Sequence, residues 1–126
     1  MIDHVSIAVS DLDASAAFYD RVLAPLGLKR VVERAGSIGF GKTYPEFWLN
    51  LRPGLPPVPD DTGTHHCLRA RDEAAVREFH AAALRAGGRG DGEPGPRQGV
   101  MTVYYGAFIR DLDGNKIEVA NFPRAP

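Results

Sequence analysis

The sequence contains one cysteine, Cys67, and therefore cannot form a disulfide bond within the chain. Folds without disulfides are typical of reducing compartments, so we expect a cytoplasmic protein. The sequence also has no apolar run near the ~20 residues that span a bilayer. Its first residues show neither a basic start nor a long apolar segment, and we expect neither a secretory signal nor a membrane partner.

An excess of charge of one sign is lacking too. Fifteen basic residues stand against sixteen acidic ones, and the formal net charge is −1. Because binding to nucleic acid requires a basic surface, no nucleic-acid partner is expected. The remaining composition, 44% hydrophobic and 25% charged over 126 residues, is typical of a soluble globular protein. We expect a single domain spanning 1–126, which is long enough to bury a core.

The stretch 64–70 carries an unusual set of side chains. It alternates as a half-buried strand does, with His66, Leu68 and Ala70 on one face and His65, Cys67 and Arg69 on the other. The first face suits packing against a helix, whereas the second is expected to line a cleft. There Arg69 could pair with a substrate carboxylate or phosphate, or lie along the sheet edge. Cys67 is expected at the substrate site as an unreactive thiol.

The two halves of the sequence repeat one another at an offset of 61 residues. At this offset a strand histidine, a helix N-cap, an apolar helix position and a terminating glycine all coincide. The matching pairs are His4 with His65, Asp11 with Asp72, Phe18 with Phe79, and Gly27 with Gly88. Matches that respect structural roles in this way indicate two copies of one unit.

Each copy has the pattern of a strand, a helix and further strands. The first copy is expected to form strands at 3–9, 28–34, 36–41 and 46–51, with a helix after its N-cap. The second is expected to form a strand at 64–70, a helix at 73–86, a glycine-rich loop at 87–99 that serves as a flexible lid or rim, and strands at 100–109 and 115–121. The sequence therefore predicts an α+β fold. Two repeated β-α-β-β-β units, about 1–53 and 62–122, would form a curved mixed sheet around a cleft, with the helices outside.

Three side chains would project into this cleft: His4, His65 and Glu118. Two imidazoles and one carboxylate suit a divalent metal ion such as Zn, Ni, Fe, Mn or Co, and they leave coordination positions open for substrate. The repeat favours His65 over His66 as the ligand, although a one-residue bulge would exchange them. Glu118 is also a candidate catalytic base. Trp48, Tyr104 and Tyr105 are candidates for the aromatic walls of the substrate site, with core or dimer interface as the alternative.

Three motifs carry a resemblance to a known family: DHVSIAV at 3–9, GTHH at 63–66 and DLDGNKIEV at 111–119. With the double β-α-β-β-β layout, the chain resembles the vicinal oxygen chelate superfamily. Its members include glyoxalase I, the bleomycin- and fosfomycin-resistance proteins, methylmalonyl-CoA epimerase and the extradiol dioxygenases. The resemblance implies a metal-dependent enzyme that chelates vicinal oxygens of a small-molecule substrate. We also expect a homodimer, because each short sheet leaves an edge to cover.

Departures from the family pattern narrow the expected reaction. Glyoxalase-like members supply a fourth ligand from the strand where this chain has Trp48, which cannot coordinate a metal. Dioxygenases have a tyrosine where this chain has Phe108, and a histidine around 100–102, where none exists. Lyase or isomerase chemistry is therefore favoured over ring cleavage. Two alternatives remain, namely a drug-resistance type of binding protein that uses the same cleft without catalysis, and an inactive dimeric interaction module.

Overall fold

Two four-stranded sheets, one from each sequence repeat, form the framework of the structure, a computed structural model that describes residues 1–123. The elements, in chain order, are β1 (Val5–Val9), α1 (Leu12–Val22), a short 3-10 helix (Ala24–Leu26), β2 (Lys29–Glu33), β3 (Ser37–Gly41), β4 (Phe47–Leu51), β5 (His66–Arg69), α2 (Glu73–Arg85), β6 (Arg89–Gln98), β7 (Val103–Arg110) and β8 (Lys116–Asn121).

The two sheets have the same strand order, as expected for a repeat. The first is ordered β1-β4-β3-β2 and the second β5-β8-β7-β6. In each sheet the first strand of the repeat pairs in parallel with the last, and the other pairs are antiparallel. The predicted α+β fold with two β-α-β-β-β units is confirmed. Within residues 1–123, no strand of one sheet is hydrogen-bonded to a strand of the other.

The strand registers match the two sheets residue by residue. Ser6 of β1 lies opposite Trp48 of β4, and Cys67 of β5 lies opposite Glu118 of β8. Ser6 and Cys67 are themselves separated by the repeat offset of 61 residues. Trp48 therefore occupies, in the first sheet, the position that Glu118 occupies in the second.

The helices begin where the sequence predicts. The carboxylate of Asp11 accepts a hydrogen bond from the Ala14 amide at 3.0 Å, and that of Asp72 accepts one from the Ala75 amide at 2.8 Å. Such N-caps satisfy donors that the first turn of a helix leaves unpaired. Helix α1 packs on the first sheet, α2 packs on the second, and the two helices contact each other. The core is consequently one cluster with members from both repeats.

A buried polar junction also joins the two repeats. The hydroxyl of Tyr19 in α1 donates to Oδ2 of Asp111 at 2.7 Å, and the amide of Asn115 donates to the Ala8 carbonyl at 3.0 Å. The Ser10 backbone N–H donates to the carboxylate of Asp113. Burial raises the pKa of Asp111 above its ordinary value. The turn at 111–115 thus fixes the second repeat against the first as well as reversing the chain.

The segment after α2 differs from the expectation. The prediction of a flexible lid at 87–99 is wrong, because Arg89–Gln98 forms β6 and pairs with β7. Glycine and proline normally disfavour strands, but β6 is an edge strand, where a missing donor can face outward. Register shifts around Gly92 absorb the irregular backbone. Only the short segment 99–102 remains as a connection between β6 and β7.

One buried histidine on α2 leads to a prediction on acid stability. Among the described residues, Nε2 of His80 meets no hydrogen-bond partner. Burial lowers the pKa of His80 below its ordinary 6.5, against a smaller opposing effect of Glu93. The unfolded chain therefore binds more protons, so stability is fully present above about pH 6.5 and is lost as the pH falls toward the lower folded pKa.

We expect His80→Leu to lose less stability than the wild type between neutral and mildly acidic pH. The difference arises because the variant lacks the imidazole whose protonation favours the unfolded chain. Urea unfolding at both pH values measures it. Since the pKa of His66 is lowered as well, the comparison uses the difference between the two proteins rather than the wild-type curve alone. Parallel curves would contradict the prediction.

Candidate functional site

The centre of the candidate site is a contact between His65 and Glu118. Parallel pairing of β5 with β8 sets Cys67 opposite Glu118, and His65 precedes β5 with its side chain on the same face. Nε2 of His65 lies 3.1 Å from Oε1 of Glu118. His66 points to the opposite side, beside Ile117, and burial together with His65 lowers its pKa. The structure therefore brings His65, and not His66, to the carboxylate.

The second oxygen of the carboxylate is held by Tyr104. The Tyr104 hydroxyl donates to Oε2 of Glu118 at 2.6 Å. This hydrogen bond and partial burial raise the pKa of Tyr104 to about 12, so the hydroxyl remains a donor at neutral pH. The ring of Phe122 stacks on that of Tyr104 at 4.8 Å, and the Arg69 guanidinium lies over Phe122 at 5.0 Å. Arg69 thus lies on the same face of the sheet as Glu118.

Phe108 supports the imidazole from the side. Its ring meets the ring of His65 edge-on, with centroids 5.7 Å apart. Antiparallel pairing of β7 with β8 places Phe108 directly opposite Glu118, and the Lys116 ammonium lies 4.7 Å from the Phe108 centroid. The Phe108 ring therefore restricts the orientation of the His65 imidazole. It carries no hydroxyl that could form a hydrogen bond in the site.

The charge of this site suits a cation. Glu118 is only 5% exposed, yet within residues 1–123 it forms no salt bridge with lysine or arginine. An ionised carboxylate that is buried without a positive partner is costly. Its side-chain partners are the Tyr104 hydroxyl at 2.6 Å and the half-exposed imidazole of His65 at 3.1 Å. A nitrogen donor beside an uncompensated carboxylate fits a divalent metal ion of the borderline class, such as Zn, Ni, Fe, Mn or Co.

The thiol of Cys67 is not activated in this site. Cys67 faces Glu118 across the β5–β8 pair. Desolvation and the nearby Glu118 carboxylate raise the pKa of Cys67 to about 12. Because the thiolate is the reactive form of cysteine, Cys67 is unreactive at neutral pH.

His4, the third expected ligand, lies at the start of the first sheet and not beside Glu118. His4 precedes β1 of the first sheet, is exposed, and has Nδ1 2.7 Å from Oδ1 of Asp3. Within the described part of the chain, no three His, Cys, Asp or Glu side chains are arranged to hold a metal ion. Within the described residues of one chain, His4 is therefore not brought to His65 and Glu118, and the set of three ligands stays a prediction. The physical reason is that the two repeats form separate sheets joined through their helices and the polar junction.

The predicted aromatic walls separate in the same way. Trp48 lies on the first sheet, where the Arg34 guanidinium covers its ring at 5.5 Å. Tyr104 is beside Glu118, but Tyr105 points to the other face of β7, and Arg77 of α2 donates to its hydroxyl at 3.5 Å. Tyr105 therefore does not share the Glu118 face, because successive residues of a strand face opposite sides, and its role as a substrate contact stays a prediction.

Phe122 was missed by sequence reasoning. It follows β8 and contacts both Tyr104 and Arg69. The signal was available, since Phe122 lies four residues after Glu118 and therefore on the same face of an extended chain. Alternation alone, however, does not indicate which residues of the neighbouring strands it meets.

Comparison with known proteins agrees with this fold. The family model of the Glyoxalase/Bleomycin resistance protein/Dioxygenase superfamily matches residues 1–119. A metallothiol transferase, FosB, from Shouchella clausii (strain KSM-K16) is 30% identical over 120 residues, which cover 94% of this chain and 77% of the relative.

Solved structures give the same result. A glyoxalase/bleomycin resistance protein from Albidiferax ferrireducens T118 is 31% identical with a TM-score of 0.83, covering 95% of this chain and 98% of that one. A glyoxalase I mutant from Zea mays has a TM-score of 0.72 at 20% identity, covering 94% of this chain and 45% of that one. The latter likeness concerns the fold alone.

The fold and the His–Glu site define a double β-α-β-β-β protein with a candidate metal centre on an open sheet face. The chain belongs to the glyoxalase/bleomycin resistance protein/dioxygenase superfamily. Neither α1 nor α2, the α-helices of the described region, has the length and apolarity of a membrane span.

Proposed function

We propose that this protein is a divalent-metal-dependent enzyme that binds vicinal oxygens of a small substrate. The observation that carries the proposal is the buried Glu118 carboxylate, which has His65 at 3.1 Å and no cationic side chain bound to it among the described residues. Family membership and the similarity to a protein named metallothiol transferase support a metal at this position. His65 and Glu118 would hold the ion.

The third ligand in this proposal is His4 of a second copy of the chain. His4 and Trp48 belong to the first sheet, whereas His65 and Glu118 belong to the second. A two-fold symmetric homodimer can place the first sheet of one protomer against the second sheet of the other, and symmetry then forms two equal sites. Trp48 occupies the position in the first sheet that Glu118 occupies in the second. Since its indole cannot coordinate a metal, Trp48 would form a wall of the site and not a fourth ligand.

When bound, the metal would polarise substrate oxygens and stabilise negative charge that develops on them. Side chains of the second sheet would bind the substrate and transfer protons. Arg69, held over Phe122, is positioned to pair with a substrate carboxylate or phosphate. Phe108 packs on His65 and Phe122 on Tyr104, so that an aromatic ring supports each of the two side chains that contact Glu118. The Glu118 carboxylate is the group that can accept and return a proton.

Lyase or isomerase chemistry fits these side chains better than ring cleavage does. Cleavage of a catechol ring needs an acid/base group to move the catechol protons. Phe108 has no hydroxyl, and the Tyr104 hydroxyl is already bonded to Glu118 with its pKa raised to about 12. Neither can act as a base at neutral pH, whereas a carboxylate at the metal can.

Metal analysis of protein purified without a histidine tag tests the proposal, and about one divalent ion per chain is expected. The Fe(II)-loaded protein should take up no oxygen with simple catechols, whereas α-hydroxycarbonyl compounds should compete for the metal site. Oxygen uptake that disappears in Glu118→Ala would overturn the reaction class. Saturable ligand binding without any metal would instead favour the binding-protein alternative, and the absence of both would favour an interaction module.

A further inference from the structure

The surroundings of Tyr104 indicate a role other than substrate contact. Its hydroxyl is committed to Oε2 of Glu118 at 2.6 Å, while Oε1 faces His65 at 3.1 Å. Because the hydroxyl has one proton, it could donate to a substrate only by breaking this short, charge-assisted hydrogen bond. The two oxygens of the carboxylate are thus assigned to different partners, one to the phenol and one to the metal-facing side.

The Tyr104 ring is held on several sides. Phe122 stacks on it at 4.8 Å, with the ring planes inclined by 26°. A methyl group added at Gly106 would come within 2.9 Å of the ring, and one added at Gly99 within 3.2 Å. Gly106 therefore leaves room for the tyrosine ring, and a larger residue there would press on it, whereas at Gly99 the first clash would be with the Thr102 carbonyl at 2.6 Å. A side chain packed this closely loses little further conformational freedom when it makes its hydrogen bond.

We propose that Tyr104 is a positioning residue that fixes the Glu118 carboxylate, keeping Oε2 in its hydrogen bond and presenting Oε1 to the metal. The inference rests on the proposed metal site. Carboxylate ligands are commonly oriented by hydrogen bonds from outside the coordination shell. Arg69 extends the same support, because its guanidinium lies over the Phe122 ring at 5.0 Å. Replacement of Tyr104 by phenylalanine leaves the ring and its packing but frees Oε2, so the carboxylate can rotate away from His65.

Tyr104→Phe is expected to bind Zn(II) 10- to 100-fold more weakly than the wild type, roughly the effect of losing an outer-shell hydrogen bond. Competition with a chromophoric chelator measures the affinity, and thermal unfolding of the metal-free proteins checks the fold. Tyr105→Phe is the matched control, because it removes the neighbouring hydroxyl, which bonds Arg77 on the opposite face. Unchanged Zn(II) affinity in Tyr104→Phe, or an equal loss in Tyr105→Phe, would overturn the inference.

A second measurement does not involve a metal. Nitrogen NMR of the His65 imidazole in the metal-free proteins, at one pH well above the ordinary imidazole pKa of about 6.5, reports which ring nitrogen carries the proton. In the wild type, the tautomer with the proton on Nε2 should dominate, because this N–H donates to Glu118. In Tyr104→Phe, the other tautomer should become more populated. If the wild type binds no Zn(II), the proposed function fails, and the His65 signals alone decide the role of Tyr104. Identical signals in both proteins would then refute it.

Discussion

Glu118→Ala is expected to abolish metal binding, with a loss greater than the roughly 100-fold ceiling of outer-shell variants. The variant removes the only anionic ligand of the proposed site, and it also removes the buried charge that attracts a cation there. Glu118→Gln preserves the size and the hydrogen bonding of the side chain but not its charge. It should therefore lose metal almost as completely while folding normally. Metal content after dialysis, together with chelator competition, measures both effects.

The adjacent histidines His65 and His66 provide the control. His65→Ala should lose the metal as Glu118→Ala does, whereas His66→Ala should retain it, because His66 faces the core side of the sheet. If His66→Ala strips the metal and His65→Ala does not, the register of the site is wrong. Metal retained at full affinity in Glu118→Gln would show that the carboxylate is not a ligand.

Mixing two inactive variants is expected to restore metal binding if the site spans two copies of the chain. His4→Ala and Glu118→Ala should each lose the metal alone. In a mixed dimer, His4 of the Glu118→Ala chain meets His65 and Glu118 of the His4→Ala chain, which rebuilds one intact site. Random pairing of equal amounts would restore about a quarter of all sites, since half the dimers are mixed and each holds one good site.

A matched control separates this result from simple protein–protein stabilisation. His65 and Glu118 lie on the same sheet of one chain, 3.1 Å apart, so His65→Ala mixed with Glu118→Ala should recover nothing. Light scattering of the wild type should give the mass of a dimer. A monomer at high concentration, or no recovery in the His4→Ala and Glu118→Ala mixture, would exclude the shared site and leave His4 without a role in it.

Alternation and repetition gave correct predictions where a regular pattern fixes the face on which a side chain lies. The two N-caps, the helices and the pairing of His65 with Glu118 follow from the positions of aspartate, apolar residues and strand parity. The same rule separates Tyr105 from Tyr104, because adjacent residues of a strand face opposite sides. The prediction of a loop in the glycine-rich segment was wrong because residue preferences describe an average strand, whereas β6 is an edge strand with register shifts.

By itself, the sequence determined that the chain forms two β-α-β-β-β units and that His65 and Glu118 share one face, because side-chain alternation and the repeat offset fix these features locally. Only the tertiary structure decided that the two sheets do not pair within the chain, that His4 and Trp48 therefore belong to a different sheet from Glu118, and that Tyr104 bonds the carboxylate. The first two features depend on how α1 and α2 pack and on the Tyr19–Asp111 junction, which joins residues far apart in the chain. The third depends on the register of β7 against β8, which side-chain alternation does not specify.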